Sequence, residues 1–198
     1  MRAAEKYVAP TWNETYRMML NLGGKINRSG FKPEVIVGVV RGGLIPARVL
    51  SDLLENPNLA TVRTECYVGT DQAQPAPVLS QKLSACVNGR SVLVVDDIVD
   101  TGRSLKLTKE HIIKSGAKEV KIATLFRKPW SVLKPDYCEN ETSSWVVFPW
   151  DVKETVRSAF RNRGKTPATE LSEKLKDAGL PKRLVDKFMR EITGGKPC

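Results

Sequence analysis

The chain has 198 residues and a mass of 22.0 kDa, with 41% hydrophobic and 27% charged residues. That length suits one domain, or one domain with a small appendage, and the composition excludes wholesale disorder. The formal net charge is +10, of which +6 falls in residues 153–198 and +4 in residues 1–152. Such a surface attracts phosphorylated ligands, nucleic acid or acidic proteins without choosing among them.

In chain order, the first predicted element is a helix over about 12–28 with Thr11 as N-cap, where Gly23-Gly24 is a point of possible interruption. The run Glu34-Val-Ile-Val-Gly-Val-Val40, entered through Pro33, has the near-continuous apolarity of a buried parallel strand. Arg41-Gly42-Gly43 follows, then a helix from about Leu44 to Leu54 with Pro46 tolerated in its first turn. Residues 60–68 read as a strand, and Gly69 to Pro77 as a polar, proline-rich loop. The turn Asn88-Gly89 leads into the apolar run Ser91-Val-Leu-Val-Val-Asp-Asp97. Asp100-Thr-Gly-Arg-Ser104 joins that run to a helix of about 103–115, closed by Gly116, and Val120 to Phe126 is a further strand.

Alternating strands and helices with short loops predict an α/β fold, an open, mostly parallel sheet with flanking helices. Ligands bind such sheets beyond the carboxyl ends of the strands, which singles out loops 41–43, 96–104 and 127–130. Residues 127–151 hold three of the four tryptophans, Trp130, Trp145 and Trp150. From Lys153 the pattern turns helical. One helix starts at Thr166-Pro167, carries Leu171, Leu175 and Ala178 on one face and stops at Gly179; Pro181 opens another, with Leu184, Val185, Phe188 and Ile192 together.

Several classes are set aside. Cys66, Cys86, Cys138 and Cys198 lie far apart, and His111 is the single histidine, so a Cys/His zinc site is not expected. No apolar run approaches the roughly 20 residues of a membrane helix, and the N-terminus lacks a signal-peptide core. The expectation is a soluble, reduced, cytoplasmic protein with no membrane partner.

The chemistry concentrates in Val92-Leu-Val-Val-Asp96-Asp97-Ile-Val-Asp100-Thr101-Gly102-Arg103-Ser104. Two carboxylates end a buried strand. The following turn offers backbone N–H groups, two hydroxyls and the positive end of a helix, a setting for a phosphate monoester. Asp96 and Asp97 can accept hydrogen bonds from vicinal hydroxyls or hold the water shell of Mg2+. A ribose 5-phosphate satisfies both halves. Asp100 would repel a phosphate, so its carboxylate points elsewhere: it can cap the helix, exchange a proton with a nucleobase nitrogen, or do both.

This segment resembles the phosphoribosyl-pyrophosphate (PRPP) motif of type I phosphoribosyltransferases. Val39-Val40-Arg41-Gly42-Gly43-Leu44-Ile45-Pro46 resembles that family's pyrophosphate loop, which often holds a non-proline cis peptide, here Val40–Arg41 by position. Leu125-Phe-Arg-Lys128-Pro129 and Ser144-Trp145-Val146-Val147-Phe148-Pro149-Trp150-Asp151 resemble the base-binding hood of the 6-oxopurine enzymes. The resemblance covers about residues 10–151. It implies the type I phosphoribosyltransferase fold over residues 1–152, with a hood at about 127–151 and a basic helical extension over 153–198.

By that resemblance Asp96, Asp97, Asp100, Thr101, Gly102, Arg103 and Ser104 bind PRPP, with Mg2+ held near Asp96 and Asp97 through water. Arg41, Gly42 and Gly43 take the pyrophosphate, and Asp100 is catalytic. Lys128 donates to the purine O6, Trp145 stacks on the ring, and Val146 and Asp151 complete the base site. Tyr67 opens a flexible loop, over 67–82, that closes on the reaction centre. Two departures stand out: Val147 and Phe148 are apolar where xanthine–guanine enzymes have polar residues, and Glu65-Cys66-Tyr67 replaces a Ser-Ser-Tyr-like start to the loop. The implied protein is a Mg2+-dependent purine-salvage enzyme acting on PRPP and hypoxanthine, guanine or xanthine, as a homodimer or higher homo-oligomer. The alternatives are a PRPP-sensing regulator whose basic tail binds nucleic acid, and a transferase for another base such as adenine. Retention of Arg41, Asp100 and Lys128 favours catalysis, and nucleic acid is not the expected partner of the tail.

Overall fold

A computed structural model of the chain describes residues 7–67 and 76–194. In chain order the elements are β1 (Tyr7–Val8), α1 (Trp12–Arg28), β2 (Val35–Val40), α2 (Leu44–Leu53), β3 (Leu59–Tyr67), β4 (Ala76–Gln81), β5 (Ser91–Val99), α3 (Arg103–Lys114), β6 (Glu119–Arg127), β7 (Tyr137–Glu141), β8 (Trp145–Val146), α4 (Val152–Arg161), α5 (Ala168–Asp177) and α6 (Lys182–Ile192). They fall into two compact units: Tyr16–Ser143, and the residues up to Thr15 together with those from Ser144 onward. The sequence-based boundary at 152/153 groups the 144–151 segment with the sheet; compactness groups it with the tail.

The larger unit is built on a six-stranded sheet of order β4-β3-β2-β5-β6-β7, parallel throughout except for β4. Valines at alternate positions, Val35, Val37, Val39, Val92 and Val94, fill one buried cluster with Leu105 and Ile112 of α3. Helix α2 packs over β2, β3 and β5, and α3 against β3, β4 and β6. Gly23 does not break α1, because its bare backbone lets the helix lie against Leu50 and Leu53 of α2. Lys25 of α1 ties down β7 through Glu139, at 2.7 Å, and the Cys138 carbonyl, at 2.8 Å.

Two expectations change here. The loop read as ending at Pro77, and the wider 67–82 closing segment, give way to β4, which pairs antiparallel with β3 from Ala76 to Gln81. As an edge strand it tolerates Pro77, which has no N–H for the ladder. Residues 68–75 and the Tyr67 side chain lie outside the described residues. Strand β7 was also unforeseen, its sequence YCENE being polar rather than apolar.

In the smaller unit, Thr11 and Glu14 form a capping box: the Thr11 N–H donates to Glu14 Oε2 at 2.7 Å and the Glu14 N–H to Thr11 Oγ1 at 3.2 Å. β1 pairs in parallel with β8, Tyr7 opposite Trp145 and Val8 opposite Val146. The helical tail has a core: Val156, Leu175, Leu180, Val185 and Met189 are buried with Val147 and Val152, and Tyr7 and Ala9 pack against them. The tail face thus buries itself against the hood segment of its own chain. Among the described residues no helix is long and apolar enough to cross a membrane.

Candidate functional site

β2 and β5 lie side by side at the centre of the sheet, and the chain leaves them toward opposite edges, to β3 and to β6. That reversal is the switch point where such sheets bind ligands. Loop 41–43 and the acid pair meet there. A Cβ placed on Gly42 would lie 2.2 Å from Asp97 Oδ2 and 2.5 Å from Oδ1, so only glycine allows this backbone against that carboxylate. A Cβ on Gly43 would meet the Val95 carbonyl at 2.3 Å and the Val39 carbonyl at 2.7 Å. The Val40–Arg41 peptide is cis, as the pyrophosphate-loop resemblance implies.

Asp97 is buried and Asp96 half-buried at the end of β5. Asp96 Oδ1 accepts the Asp97 N–H at 3.0 Å, and Asp97 Oδ1 accepts the Ile98 N–H at 2.7 Å. Burial pushes the Asp96 carboxyl well above the usual carboxylate range, and the Asp97 charge adds to that; the N–H groups of Asp97 and Gly43 oppose it.

The unfolded carboxyl ionises first as pH rises, so the folded state loses stability from about pH 4 upward. Asp96→Asn removes that loss. At pH 7 the variant should melt higher than wild type. The gain should shrink as pH falls toward about 4, where the unfolded carboxyl also holds its proton. PRPP binding by the same variant should weaken about tenfold. A melting point that does not rise at pH 7 removes the argument that burial, with the Asp97 charge beside it, destabilises the ionised Asp96.

The third carboxylate behaves differently. Helix α3 has Gly102 as N-cap, at φ +84°, and no side-chain cap bond, so Asp100 is not a helix cap. Instead Asp100 Oδ1 accepts the Trp130 indole N–H at 2.7 Å. Thr101 Oγ1 receives the Arg103 N–H at 3.4 Å, while Thr101 and Arg103 are exposed and Ser104 is half-buried at the start of α3. Lys128, one residue past β6, is 5% exposed, and its Nζ lies 5.4 Å from the centre of the Trp130 ring. Burial lowers the Lys128 ammonium pKa, and the Asp100 charge pulls it back up. The loop ends named from the sequence, 41–43, 96–104 and 127–130, thus gather at one end of one sheet.

The phosphoribosyl transferase domain profile matches residues 18–156. The chain belongs to the phosphoribosyl transferase domain family. A xanthine-guanine phosphoribosyltransferase of Nitratidesulfovibrio vulgaris is 31% identical over 76% of this chain and 90% of that protein. One of Cereibacter sphaeroides is 27% identical over 80% of this chain and 95% of its own length. The crystal structure of a purine phosphoribosyltransferase from Pyrococcus horikoshii superposes with TM-score 0.66 and 39% identity, covering 73% of this chain and 93% of that one.

The Gly43 N–H is bound to the Val39 carbonyl at 2.9 Å and also turned toward the Asp96 carboxyl, so it is engaged within the protein. On the same loop Arg41 is exposed and Gly42 half-buried. Val147 and Phe148, apolar where the resemblance expects polar groups, are both 1% exposed; Val147 is core, and Phe148 stacks on Trp150 at 4.9 Å. They offer no side-chain donor or acceptor. Trp145 is exposed on β8 beside half-buried Val146, and half-buried Asp151 is the N-cap of α4 without a side-chain cap bond.

Trp130 has no role in the sequence-based site, and the structure places its indole N–H on Asp100. The signal was its position two residues after Lys128 in a loop at a strand's carboxyl end. A cavity of about 710 Å³ at the opposite end of the strands, lined by Glu34, Asn56, Asn58 and Arg90 among others, contains none of these residues. Asn56 Nδ2 donates to the Pro33 carbonyl there and Glu34 Oε2 accepts the Ser91 N–H, bonds that hold strand starts together.

Among the described residues no group of three or more His, Cys, Asp or Glu side chains could hold a metal. Two adjacent carboxylates, one of them destabilised as an anion by burial and by its neighbour's charge, suit Mg2+ as it is commonly held: by one or two carboxylates, water and substrate oxygens.

Proposed function

We propose that the enzyme transfers ribose 5-phosphate from PRPP to a 6-oxopurine (hypoxanthine, guanine or xanthine), releasing pyrophosphate. The observation that carries this reading is buried Lys128 beside Asp100 at the phosphate loop. An ammonium can donate to a carbonyl oxygen but cannot accept from adenine's amine. The N–H groups and hydroxyls of 101–104, at the N-terminus of α3, hold the 5-phosphate. Asp96 and Asp97 hold the ribose hydroxyls and, through water, Mg2+, which when bound neutralises charge on the leaving pyrophosphate.

The C1–O bond to pyrophosphate breaks with its electrons leaving on oxygen, and a purine ring nitrogen forms the new bond to C1. The purine's ring proton passes to Asp100. Arg41 steadies the leaving group, and Lys128 meets the charge that gathers on O6. The stacking role of Trp145, with Val146 and Asp151 beside the base, is carried over from the family.

Cys86 and Cys138 are free thiols, in keeping with a reducing, cytoplasmic setting. A homo-oligomer is the proposed assembly. Trp12, Tyr16 and Leu20, exposed at four-residue spacing along α1, are the apolar stripe a second copy would cover.

The test is nucleotide formation from PRPP, Mg2+ and each of hypoxanthine, guanine, xanthine, adenine and uracil. The 6-oxopurines should exceed adenine by at least about 100-fold in kcat/KM. Discrimination between hypoxanthine and guanine should be modest, because the Val147 and Phe148 side chains cannot accept from the 2-amino group; strong preference for guanine would mean that backbone carbonyls read it. Adenine as best substrate overturns the Lys128 assignment. No nucleotide from any base, with PRPP still bound, favours a PRPP sensor.

A further inference from the structure

Trp130 is 54% exposed, so packing accounts for only part of its surface, and its indole N–H is committed to Asp100 Oδ1 at 2.7 Å. An indole nitrogen donates once and accepts nothing, so this bond has one direction. The segment carrying the indole is anchored along the phosphate loop. The Lys128 N–H donates to the Val99 carbonyl at 2.9 Å, and the Val132 N–H to the Thr101 carbonyl at 3.0 Å. On Gly102 a Cβ would meet Ser131 Oγ at 2.7 Å and the Leu133 N at 2.9 Å, which shows how closely the two loops dock. Both ends of the Trp130–Asp100 bond are therefore set by backbone hydrogen bonds. An exposed aspartate would otherwise sample several rotamers.

We propose that Trp130 is a positioning residue: its indole N–H pins Oδ1 of Asp100, so that Oδ2 faces the purine's ring proton in one fixed orientation. This rests on the reading in which Asp100 accepts that proton. Trp130 itself needs no contact with the substrate. Misplacing a reacting group by as little as about 1 Å can cost on the order of 100-fold, so the effect belongs in kcat rather than in PRPP affinity.

Trp130→Phe removes the donor and keeps an aromatic ring. Its kcat should fall about tenfold or more, with KM for PRPP within about twofold of wild type. In the intact wild-type protein the Trp130 indole N–H resonance should be slow to exchange, and it should move in Asp100→Ala. Two results overturn the proposal. One is a Trp130→Phe kcat within about twofold of wild type while Asp100→Asn loses at least about 100-fold; Asp100 then keeps its role without Trp130. The other is an indole resonance unaffected by Asp100→Ala, which decides the matter even if Trp130→Phe fails to fold. If Asp100→Asn itself turns over within twofold of wild type, the reading of Asp100 fails first, and the role of Trp130 with it.

Discussion

Asp100→Asn should lower turnover about 10²–10⁴-fold, the range for losing a general acid–base group, while PRPP binds within about threefold of wild type. Asparagine keeps the shape and can still accept the Trp130 N–H, so the loop should not rearrange. Because Gly102 and not Asp100 occupies the N-cap of α3, the helix loses no cap. What disappears is a carboxylate able to take a proton, in a loop otherwise built for an anion. Single-turnover kinetics with a 6-oxopurine, beside calorimetry with PRPP, separates the two quantities. Turnover within twofold of wild type would reduce Asp100 to an anchor for Trp130. A large loss of PRPP affinity would move it into the phosphate site.

The sheet was legible because its parallel strands are buried on both faces and read as unbroken apolar runs; β2 and β5 appear almost at their observed bounds. β5 runs two residues past Asp97 because Ile98 and Val99 still pair with Phe126 and Arg127 of β6. The strands that escaped notice are those whose reason to exist is not local. β7 is polar and is held by Lys25, more than a hundred residues away. β1 and β8 are two residues each and exist only as a pair.

The candidate site divides in the same way. Asp96, Asp97, Thr101 and Ser104 stand in one continuous stretch whose residue types announce their chemistry. Trp130 carries no such mark. A tryptophan after Lys-Pro reads as packing until the fold brings its nitrogen to an aspartate thirty residues earlier. The occupied N–H of Gly43 is likewise a fact of hydrogen bonding that composition cannot reveal.

Truncation after Val152 should dismantle the smaller unit and spare the PRPP site. It removes Val156, Leu175, Leu180, Val185 and Met189, all buried against Val147 and Val152. Each such side chain contributes about 1.5–3 kcal/mol of burial, and together they rival the roughly 5–15 kcal/mol that holds a typical domain folded. Without them β1 and β8 are a two-residue pair with no core beneath it, and such pairs do not persist alone. The Val147 N–H, bonded to the Val8 carbonyl at 2.9 Å, reports on this directly, and its hydrogen exchange should accelerate by at least about 100-fold. The amides of β2, β5 and β6 should keep their protection, because the valine cluster of the sheet has its own packing on α3. Arg41, Asp96, Asp97 and residues 101–104 all belong to the sheet unit, so PRPP affinity should stay within about threefold. Val185→Asp in the full chain tests the same point without deletion, since an unpaired carboxylate in that core has no partner there. Val147 protection retained in both variants would mean that the hood holds itself up. Loss of PRPP binding in the full-length variant would mean that the tail stabilises the sheet as well, which the separate cores argue against.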